Sequence, residues 1–346
     1  DFWKGRIGRA QMPSALPTDH ARRAGMTGVG AVEWVHIDKA LTEDLRTLAR
    51  RLDVTVNMLA MTVFAAMVSQ AVESGPVVLG IPVRGRLATE IELIMGFFNN
   101  LLPVHLELDQ GRSLAQCVSA IKREMLDVFA NQEIPFERLA EEPEVAALAS
   151  KAGLYQALFS FQDARERPRH WGPLQHQSVL IMQKGATEDF GLWLMEVPGG
   201  LEGGVNFNAD LFERSTAMLF RDRFIGLMRL VAQRPDTSLR ELMETASPEL
   251  ERFRAWLAGA RQGAAATKPL ADKAPAAQAQ KTTQARSDAE VALAELWARV
   301  LGVDAAQIGA KDNFFDLGGS SLLVMQVVAE SARLFQVKVE PSRYVY

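Results

Sequence analysis

A stretch of small and polar residues divides this 346-residue chain into two unequal parts. Residues 259–286 are rich in alanine, glutamine, lysine and proline and contain almost no large apolar side chain. Such a stretch buries too little apolar surface to offset the entropy lost on ordering, so it predicts a flexible linker. An alanine-rich surface helix is the alternative, and the prolines count against it. Two domains are therefore expected, over residues 1–258 and 287–346.

Composition restricts the class of protein further. Hydrophobic residues make up 48% and charged residues 23% of the chain, which is ordinary for a globular protein and excludes disorder throughout. A net charge of -4 argues against a sequence-independent nucleic-acid binder, and no apolar run approaches the length of a membrane span. The single cysteine, Cys117, excludes an internal disulfide and a zinc site with several thiolates. Cys117 lies on an apolar helical stripe, so we expect it to be buried in the core. A single cysteine also predicts a protein of a reducing, cytoplasmic compartment.

The first part alternates between helical and strand patterns. Apolar residues at helical spacing predict four helices. Two of them begin at the caps Thr42 and Thr55, and the other two cover Leu114–Val128 and about Ser215 to Gln233. Strands are predicted at Val77–Val83, Leu102–Leu108, Leu158–Phe161, Leu192–Val197 and Gly204–Phe207. A sheet covered by helices over this length predicts an α/β two-layer sandwich.

The second part carries helical patterns only. The sequence Ser287-Asp288-Ala289-Glu290 fits a capping box at the start of an amphipathic helix. A second helix is predicted from about Ser321, so this part is expected to be a small all-α bundle.

The most informative motif is the run from Asp312 to Leu322, which reads Asp-Asn-Phe-Phe-Asp-Leu-Gly-Gly-Ser-Ser-Leu. Two glycines allow a tight turn and the close approach of another protein's backbone. A serine at a helix N-terminus places its hydroxyl beside free N–H groups and the positive end of the helix dipole, where a phosphodiester is favoured. By spacing alone, a glycine loop followed by an ordinary serine cap is the alternative.

The full run resembles the attachment motif of peptidyl carrier domains in nonribosomal peptide synthetases, Asp-x-Phe-Phe-x-Leu-Gly-Gly-x-Ser-Leu, and every fixed position matches. The resemblance implies that Ser321, rather than Ser320, carries 4′-phosphopantetheine, which a phosphopantetheinyl transferase attaches covalently from coenzyme A. The residues implied to frame the site are Asp316, Leu317, Gly318, Gly319 and Leu322. Carrier domains of this family are four-helix bundles, and the last helix is expected to be missing after Tyr346.

Four regions of the first part resemble, in order, the C-terminal lobe of a condensation domain. They are Phe2-Trp3 with Leu16–Asp19, Gly80–Arg86 with Met95–Asn100, Asn131–Glu137, and Leu154–Gln162. Two positions depart from the family pattern, because Asn131 stands where the family has histidine and Leu101 replaces a threonine. The resemblance implies a chloramphenicol acetyltransferase-like lobe that helps to form an amide or ester bond between carrier-bound substrates.

The family's catalytic motif, His-His-x-x-x-Asp-Gly, does not occur among the five histidines of this sequence. The resemblance therefore implies that the catalytic half lies upstream of Asp1 and that this chain holds no catalytic residue. The structural or tunnel candidates are Arg86, as ion-pair partner of that motif's aspartate, Asn100 and Asp189. An ordinary surface guanidinium is the alternative for Arg86, and a solvated strand end for Asp189 and its neighbour Glu188.

The order of domains also predicts partners. The linker leaves no room for an adenylation domain, and no phosphate-binding Gly/Ser/Thr/Lys loop occurs. The resemblance then implies loading in trans, with an upstream carrier and other synthetase or polyketide modules as further partners in secondary-metabolite or antibiotic biosynthesis. A hypothesis of a different class is a non-catalytic carrier and docking platform with a degenerate condensation-like lobe. The order of lobe and carrier and the string Gly96–Asn100 disfavour an epimerisation domain, and the fused carrier disfavours a stand-alone acyltransferase.

Overall fold

The structure is a computed structural model that divides into two compact units. The first unit holds Asp1–His20 and Val29–Ala266, and the second holds Ala21–Gly28 and Thr267–Tyr346. The residues that the structure describes are 2–7, 16–21, 27–72, 76–86, 88–91, 94–96, 98–135, 138–139, 155, 157–165, 170–176, 181, 185–186, 188–266, 287–301, 303–310, 314, 317, 327 and 330–336.

A mixed sheet forms the frame of the first unit. Its strands are β1 (Gly30–Ile37), β2 (Val77–Val83), β3 (Asn100–Leu106), β4 (Ala157–Asp163), β7 (Phe190–Val197) and β8 (Gly200–Asn208). They lie in the order β1-β8-β7-β4-β2-β3, and β4 runs parallel to both β2 and β7. A separate ribbon pairs β5 (His170–Trp171) with β6 (Leu174–Gln175). All five predicted strands are present, although β3 covers Asn100–Leu106 where Leu102–Leu108 was predicted, and β1 extends the sheet beyond them.

Helices cover one face of this sheet. The helices of this unit are α1 (Phe2–Ile7), α2 (Lys39–Arg51), α3 (Val56–Ala71), α4 (Leu114–Phe129), α5 (Arg214–Gln233), α6 (Leu239–Glu244) and α7 (Pro248–Ala266). Of these, α2, α3, α4 and α5 pack on strands of the sheet, and α6 and α7 pack on other helices. Aromatic contacts join the two layers, because Phe159 of β4 stacks on Phe64 of α3 and Phe190 of β7 packs against Phe220 of α5. The α/β two-layer sandwich is therefore confirmed.

The starts of two helices show how local sequence sets their limits. Thr55 caps α3 as predicted, accepting a hydrogen bond from the Met58 amide at 3.2 Å. The predicted cap of α2 is wrong, since Asp38 caps it by accepting from the Leu41 amide at 2.9 Å. Thr42 lies inside the first turn, where its hydroxyl donates to the Asp38 carbonyl at 2.7 Å. Aspartate and threonine are both good caps, so the pattern alone does not separate the two positions.

Helix α7 continues into the segment that was predicted to be a linker. Its apolar residues Leu250 and Phe253 are buried, and the helix then runs on to Ala266. Alanine has the highest helix propensity, which explains why residues 259–266 extend the helix instead of leaving it. Residues 267–286 of the predicted linker lie outside the described residues.

The regular secondary structure described in the second unit is helical. Helix α8 (Asp288–Leu301) begins with the predicted capping box, in which Ser287 Oγ accepts from the Glu290 amide at 3.3 Å and Glu290 accepts from the Ser287 amide at 2.7 Å. Residues 330–335 form a further helical segment. The start predicted for a second helix at Ser321 lies outside the described residues.

The described residues offer neither a single membrane-spanning helix nor a group of side chains that could bind a metal ion. No single described helix is long and apolar enough to cross a membrane, although α2 and α3 meet that criterion as a pair bent by 98°. Among the same residues, no group of three or more histidine, cysteine, aspartate or glutamate side chains is placed to hold a metal ion.

Candidate functional site

Arg86 shapes the loop that joins β2 to β3. Its guanidinium donates to the carbonyl oxygens of Ile91 and Ile94, the latter at 2.8 Å. A longer contact of 3.4 Å reaches the carbonyl of Gly96, and the guanidinium carbon lies 4.3 Å from the centre of the Phe98 ring. Arginine suits this role because its planar fork offers several donors and also stacks on an aromatic face. The ion pair predicted for Arg86 with an aspartate outside this chain stays a prediction.

The residue before Arg86 must be glycine for this loop to form. Gly85 has a φ of +61°, which L side chains rarely adopt. A Cβ at this position would also collide with the carbonyl oxygen of Phe98. The Arg-Gly-Arg part of the predicted motif therefore acts on the shape of the loop.

Asn100 ties the start of β3 to the loop after α4. Its Nδ2 donates to the carbonyls of Gln132 at 3.0 Å and Ile134 at 2.8 Å, and its Oδ1 accepts from the Leu101 amide at 2.9 Å. A carboxamide can donate and accept at once, which explains this residue type here. The structure therefore joins the motif ending at Asn100 to the motif beginning at Asn131.

The first motif reaches the same loop from another side. Trp3 is buried, and its indole N–H donates to the Asn131 carbonyl at 2.8 Å. The Asn131 side chain, at the position where the family has histidine, donates to the Asp127 carbonyl at 2.9 Å. Arg6 forms ion pairs with Glu124 and Asp127, which lie on α4. Three of the predicted motifs thus meet at one edge of the sheet.

Asp19, the last residue of the Leu-Pro-Thr-Asp stretch, caps α5 from a distant part of the sequence. Its carboxylate accepts from the Glu213 amide at 2.7 Å, the Thr216 hydroxyl at 3.0 Å and the Trp256 indole at 2.7 Å. Glu213 is the N-cap of α5 and makes no capping bond with its own side chain. Sequence reasoning found the motif but missed this role, because Asp19 and Glu213 are 194 residues apart.

Asp189 lies at the start of β7, where its carbonyl accepts from the Asn208 amide at 2.9 Å. Its neighbour Glu188 accepts from the Trp193 indole at 3.1 Å. Burial raises the pKa of Tyr155 to about 12, and the negative charges of Glu188 and Asp189 contribute to the same shift. The Tyr155 phenol therefore stays protonated at neutral pH. The tunnel role predicted for Asp189 stays a prediction.

Two buried carboxylates on the helix-covered face were not foreseen. Glu33 of β1 is 5% exposed and pairs with Arg214 and Arg221 of α5. Glu196 of β7 is 4% exposed and pairs with Arg46 of α2 at 2.6 Å. Buried charges need such partners, so these pairs bind the helices to the sheet. The partners are 150 to 188 residues apart, beyond the reach of any local pattern.

The described residues of the attachment motif are Phe314 and Leu317. Phe314 is 3% exposed and forms the core of the second unit with Leu296 and Val327. Phe314 and Val327, which lie on either side of Ser321 in the sequence, are thus both core residues. The other predicted site residues, Asp316, Gly318, Gly319, Ser321 and Leu322, lie outside the described residues.

Comparison with curated proteins returned peptide synthetases. The linear gramicidin synthase of Brevibacillus parabrevis contains a polypeptide that is 29% identical over 257 residues, which cover 73% of this chain and 3% of that polypeptide. Phosphinothricin tripeptide synthetase PhsC of Streptomyces viridochromogenes is 29% identical over 242 residues, which cover 70% of this chain and 22% of that protein. The chain thus spans only a small part of the length of these relatives.

Solved structures share the fold of the first unit. The condensation domain of the Monacolin K polyketide synthase MokA gives a TM-score of 0.61 at 18% identity, covering 69% of this chain and 57% of that one. The X-domain from teicoplanin biosynthesis gives a TM-score of 0.59 at 19% identity, covering 69% and 55%. Likeness at these identities shows the fold, which is the predicted chloramphenicol acetyltransferase-like one.

Family models match both parts of the chain. Residues 1–251 match the condensation domain, and residues 291–345 match the phosphopantetheine attachment site. The second match supports a covalently bound 4′-phosphopantetheine as the cofactor of the helical unit. The chain therefore belongs to the condensation-domain family, and a phosphopantetheine attachment site follows that domain.

Proposed function

We propose that this chain is a working part of a nonribosomal peptide synthetase. In this proposal Ser321 tethers an aminoacyl or peptidyl thioester, and the condensation lobe helps to join carrier-bound substrates through an amide or ester bond. The observation that carries the proposal is the succession of the two family matches, over residues 1–251 and 291–345, in one chain. The curated relatives, which are named as peptide synthetases, support it.

The helical unit contributes the attachment point. When bound, 4′-phosphopantetheine supplies a thiol that holds an acyl group as a thioester. Phe314 and Val327, which precede and follow Ser321 in the sequence, are both buried in the core of this unit. We expect a phosphopantetheinyl transferase to dock on the surface framed by Asp316, Leu317, Gly318, Gly319 and Leu322.

The condensation lobe contributes one preorganised wall of the substrate tunnel. Arg86 and Asn100 hold two loops at one edge of the sheet through backbone carbonyls. Holding reactants in a productive geometry accounts for a large part of the barrier lowering in bimolecular reactions. The His-His-x-x-x-Asp-Gly half is expected elsewhere in the parent polypeptide, with Arg86 pairing to its aspartate, and the carrier is expected to be loaded in trans by an adenylation domain.

Mass spectrometry after incubation with coenzyme A and a promiscuous phosphopantetheinyl transferase tests the carrier assignment. We expect one phosphopantetheine on the wild-type chain and on Ser320→Ala, and none on Ser321→Ala. Ser320→Ala is the matched control, since it changes the adjacent serine only. Addition to Ser321→Ala, or no addition to a chain extended beyond Tyr346, would contradict the assignment.

A second measurement separates an active condensation domain from a docking platform. A polypeptide extended upstream of Asp1 is used, in which the carrier of this chain and the upstream carrier are both loaded with substrate. The product released from the phosphopantetheine arm is then identified by mass. If the condensation domain is active, we expect a product in which the two substrates are joined by an amide or ester bond. If the chain is only a docking platform, we expect both carriers to stay loaded and no such bond to form.

A further inference from the structure

The face of the sheet opposite the helices carries a group of polar and aromatic side chains. Tyr155, Glu188, Trp193 and Asn206 form this group, which we name the open-face cluster. Trp193 is paired with Gly204, and Gly191 with Asn206, between the antiparallel strands β7 and β8. The alternate residues Leu192 and Leu194 are buried toward the helices. Because side chains alternate along a strand, Trp193 and Asn206 both point away from the helices.

The Glu188 carboxylate is held over β7 on this same face. Its Oε1 accepts from the Trp193 indole at 3.1 Å and lies 3.2 Å from where a Cβ on Gly191 would be. A side chain at residue 191 would crowd the carboxylate. The glycine and the indole donor together thus fix the position of a negative charge on the open face.

Asn206 lies opposite Gly191 on the neighbouring strand, and its Oδ1 is 3.7 Å from where a Cβ on Gly204, the partner of Trp193, would be. Directly opposed residues in an antiparallel pair have Cβ positions about 4.5–5.5 Å apart, and Asn206 is opposed to Gly191, over which Glu188 lies. The Oδ1 of Asn206 is buried, and within the described residues it has no hydrogen-bond partner. Buried acceptors are normally satisfied, so this oxygen points to a donor that a bound molecule supplies.

Two aromatic rings lie on this face, one over β2 and one against the Glu188 carboxylate. The Tyr155 ring lies 2.9 Å from where a Cβ on Gly80 would be, so a second glycine makes room on this face. The Trp193 indole adjoins the Glu188 carboxylate through its own N–H. A carboxylate, a free amide oxygen and aromatic faces together suit a primary ammonium group, which offers three donors and one positive charge.

We propose that the open-face cluster binds the protonated amine of an aminoacyl acceptor substrate, with Glu188 and Asn206 accepting its N–H groups. Trp193 is then a positioning residue that orients Glu188. The inference rests on the proposed function, because bond formation from a thioester requires the acceptor amine to be held near the carbonyl. The bound ammonium must first give up one proton, which the Glu188 carboxylate is placed to accept; the neutral amine then attacks the carbonyl, and the proton passes to the departing thiolate.

Titration of the full chain with two small probes tests this inference. Alaninamide carries the ammonium, N-acetylalaninamide lacks it, and neither contains a thioester. The readout is the indole N–H resonance of Trp193 in the ¹⁵N-labelled protein, assigned with Trp193→Phe. We expect alaninamide to shift this resonance and to bind about tenfold or more tightly than its acetylated counterpart, as charge-assisted hydrogen bonds predict.

Two variants separate binding from a purely structural role. In Glu188→Gln the side-chain oxygen still accepts from the Trp193 indole, but the negative charge is gone, so the preference for alaninamide is expected to disappear. Glu202→Gln is the matched control, because Glu202 of β8 is an exposed acid opposite Met195 on the same face. This variant is expected to keep the wild-type preference.

Equal affinity for the two probes, absence of binding by both, or a preference that survives in Glu188→Gln would overturn the proposal. Glu188 would then serve only as the hydrogen-bond acceptor of Trp193. The titration requires neither loading of Ser321 nor bond formation. Its failure therefore leaves the proposed function standing, and a failure of phosphopantetheine transfer leaves the titration interpretable.

Discussion

The α/β lobe and the helical unit after it use their motif residues in different ways. In the lobe, the motif residues Trp3, Arg86 and Asn100 bind backbone carbonyls of loops. The motif residue Asp19 accepts from one backbone amide and two side chains of distant segments. In the helical unit, the motif residue with a described structural role is the apolar Phe314. The described motif residues of the lobe therefore hold its loops and the start of α5, whereas the described motif residue of the helical unit builds its core.

The two regions also differ in how many aromatic residues support their cores. In the lobe, Phe190, Phe212, Phe220, Phe253 and Trp256 form a connected cluster with ring centres 4.7 to 5.6 Å apart. In the helical unit, the described core consists of Leu296, Phe314 and Val327, with Trp297 against Phe314 at 5.0 Å. Loss of one ring is expected to matter more in the smaller core.

The largest expected effect follows from this difference. Phe314→Ala removes the central ring of the small core, and such truncations cost about 3–5 kcal/mol. A unit of this size has little stability in reserve, so we expect it to unfold and to lose phosphopantetheine transfer. Differential scanning calorimetry should show that the transition of the lobe is unchanged. Leu334→Ala is the control, since Leu334 is 51% exposed in the same unit. If phosphopantetheine were still transferred to Phe314→Ala, the smaller core would not depend on this ring as expected.

Apolar periodicity predicted much of the lobe. The strands at Val77–Val83 and Leu192–Val197 and the helix at Leu114–Val128 are present in the structure, and the helix buries its apolar residues at helical spacing. Cys117 lies in the core as expected, where burial raises the pKa of its thiol. These features depend on local sequence, which a single chain displays in full.

Contacts between distant segments were not predictable in the same way. The pairing of Glu33 with Arg221 joins residues 188 positions apart, and no local pattern marks either as buried. The open-face cluster was missed for the same reason, since Glu188 and Asn206 become neighbours only through the register of β7 and β8. The signal that could have found it is a carboxylate next to a strand whose alternate positions carry Gly191 and Trp193.

The second prediction tests whether a lobe motif holds the start of the distant helix α5. Asp19→Ala removes the acceptor of three donors, from Glu213, Thr216 and Trp256, and leaves partly buried groups unsatisfied. We expect a loss of about 2–3 kcal/mol in the free energy of unfolding of the lobe, measured in urea. Asp236→Ala removes an exposed carboxylate of the same unit and should change little. An equal loss in both variants would show that Asp19 has no special capping role.

The third prediction concerns the histidine in β3. Burial, with a contribution from the charge of Arg6, lowers the pKa of His105 to about 4 in the folded protein, against 6.5 as the ordinary value. The unfolded chain therefore binds a proton first as the pH falls. The neutral His105 therefore contributes to the free energy of unfolding in full above about pH 6.5, and this contribution is lost as the pH falls toward about 4. The free energy of unfolding changes by at most about 1.4 kcal/mol per pH unit over this range.

Urea unfolding of the wild-type protein and of His105→Gln at about pH 7 and about pH 5 measures this slope. We expect the variant to lose less stability on acidification than the wild-type protein does. His36→Gln is the control, because His36 is an exposed strand residue of β1. If His36→Gln and His105→Gln flatten the pH dependence equally, the burial of His105 does not set it.

The smallest expected effect is local and concerns Asn100. Asn100→Ala removes two hydrogen bonds, to the carbonyls of Gln132 and Ile134, and is expected to cost about 1 kcal/mol of global stability. The loop after α4 should open more often, because local openings need less free energy than global unfolding. Hydrogen exchange of the amides at 132–134 is therefore expected to speed up, whereas exchange in α5 stays unchanged. Gln132→Ala, which removes one exposed bond to the Phe129 carbonyl, should leave those rates nearly as they are. If the two variants behave alike, Asn100 does not hold the loop, and the lobe's motifs would have to be explained by something other than backbone anchoring.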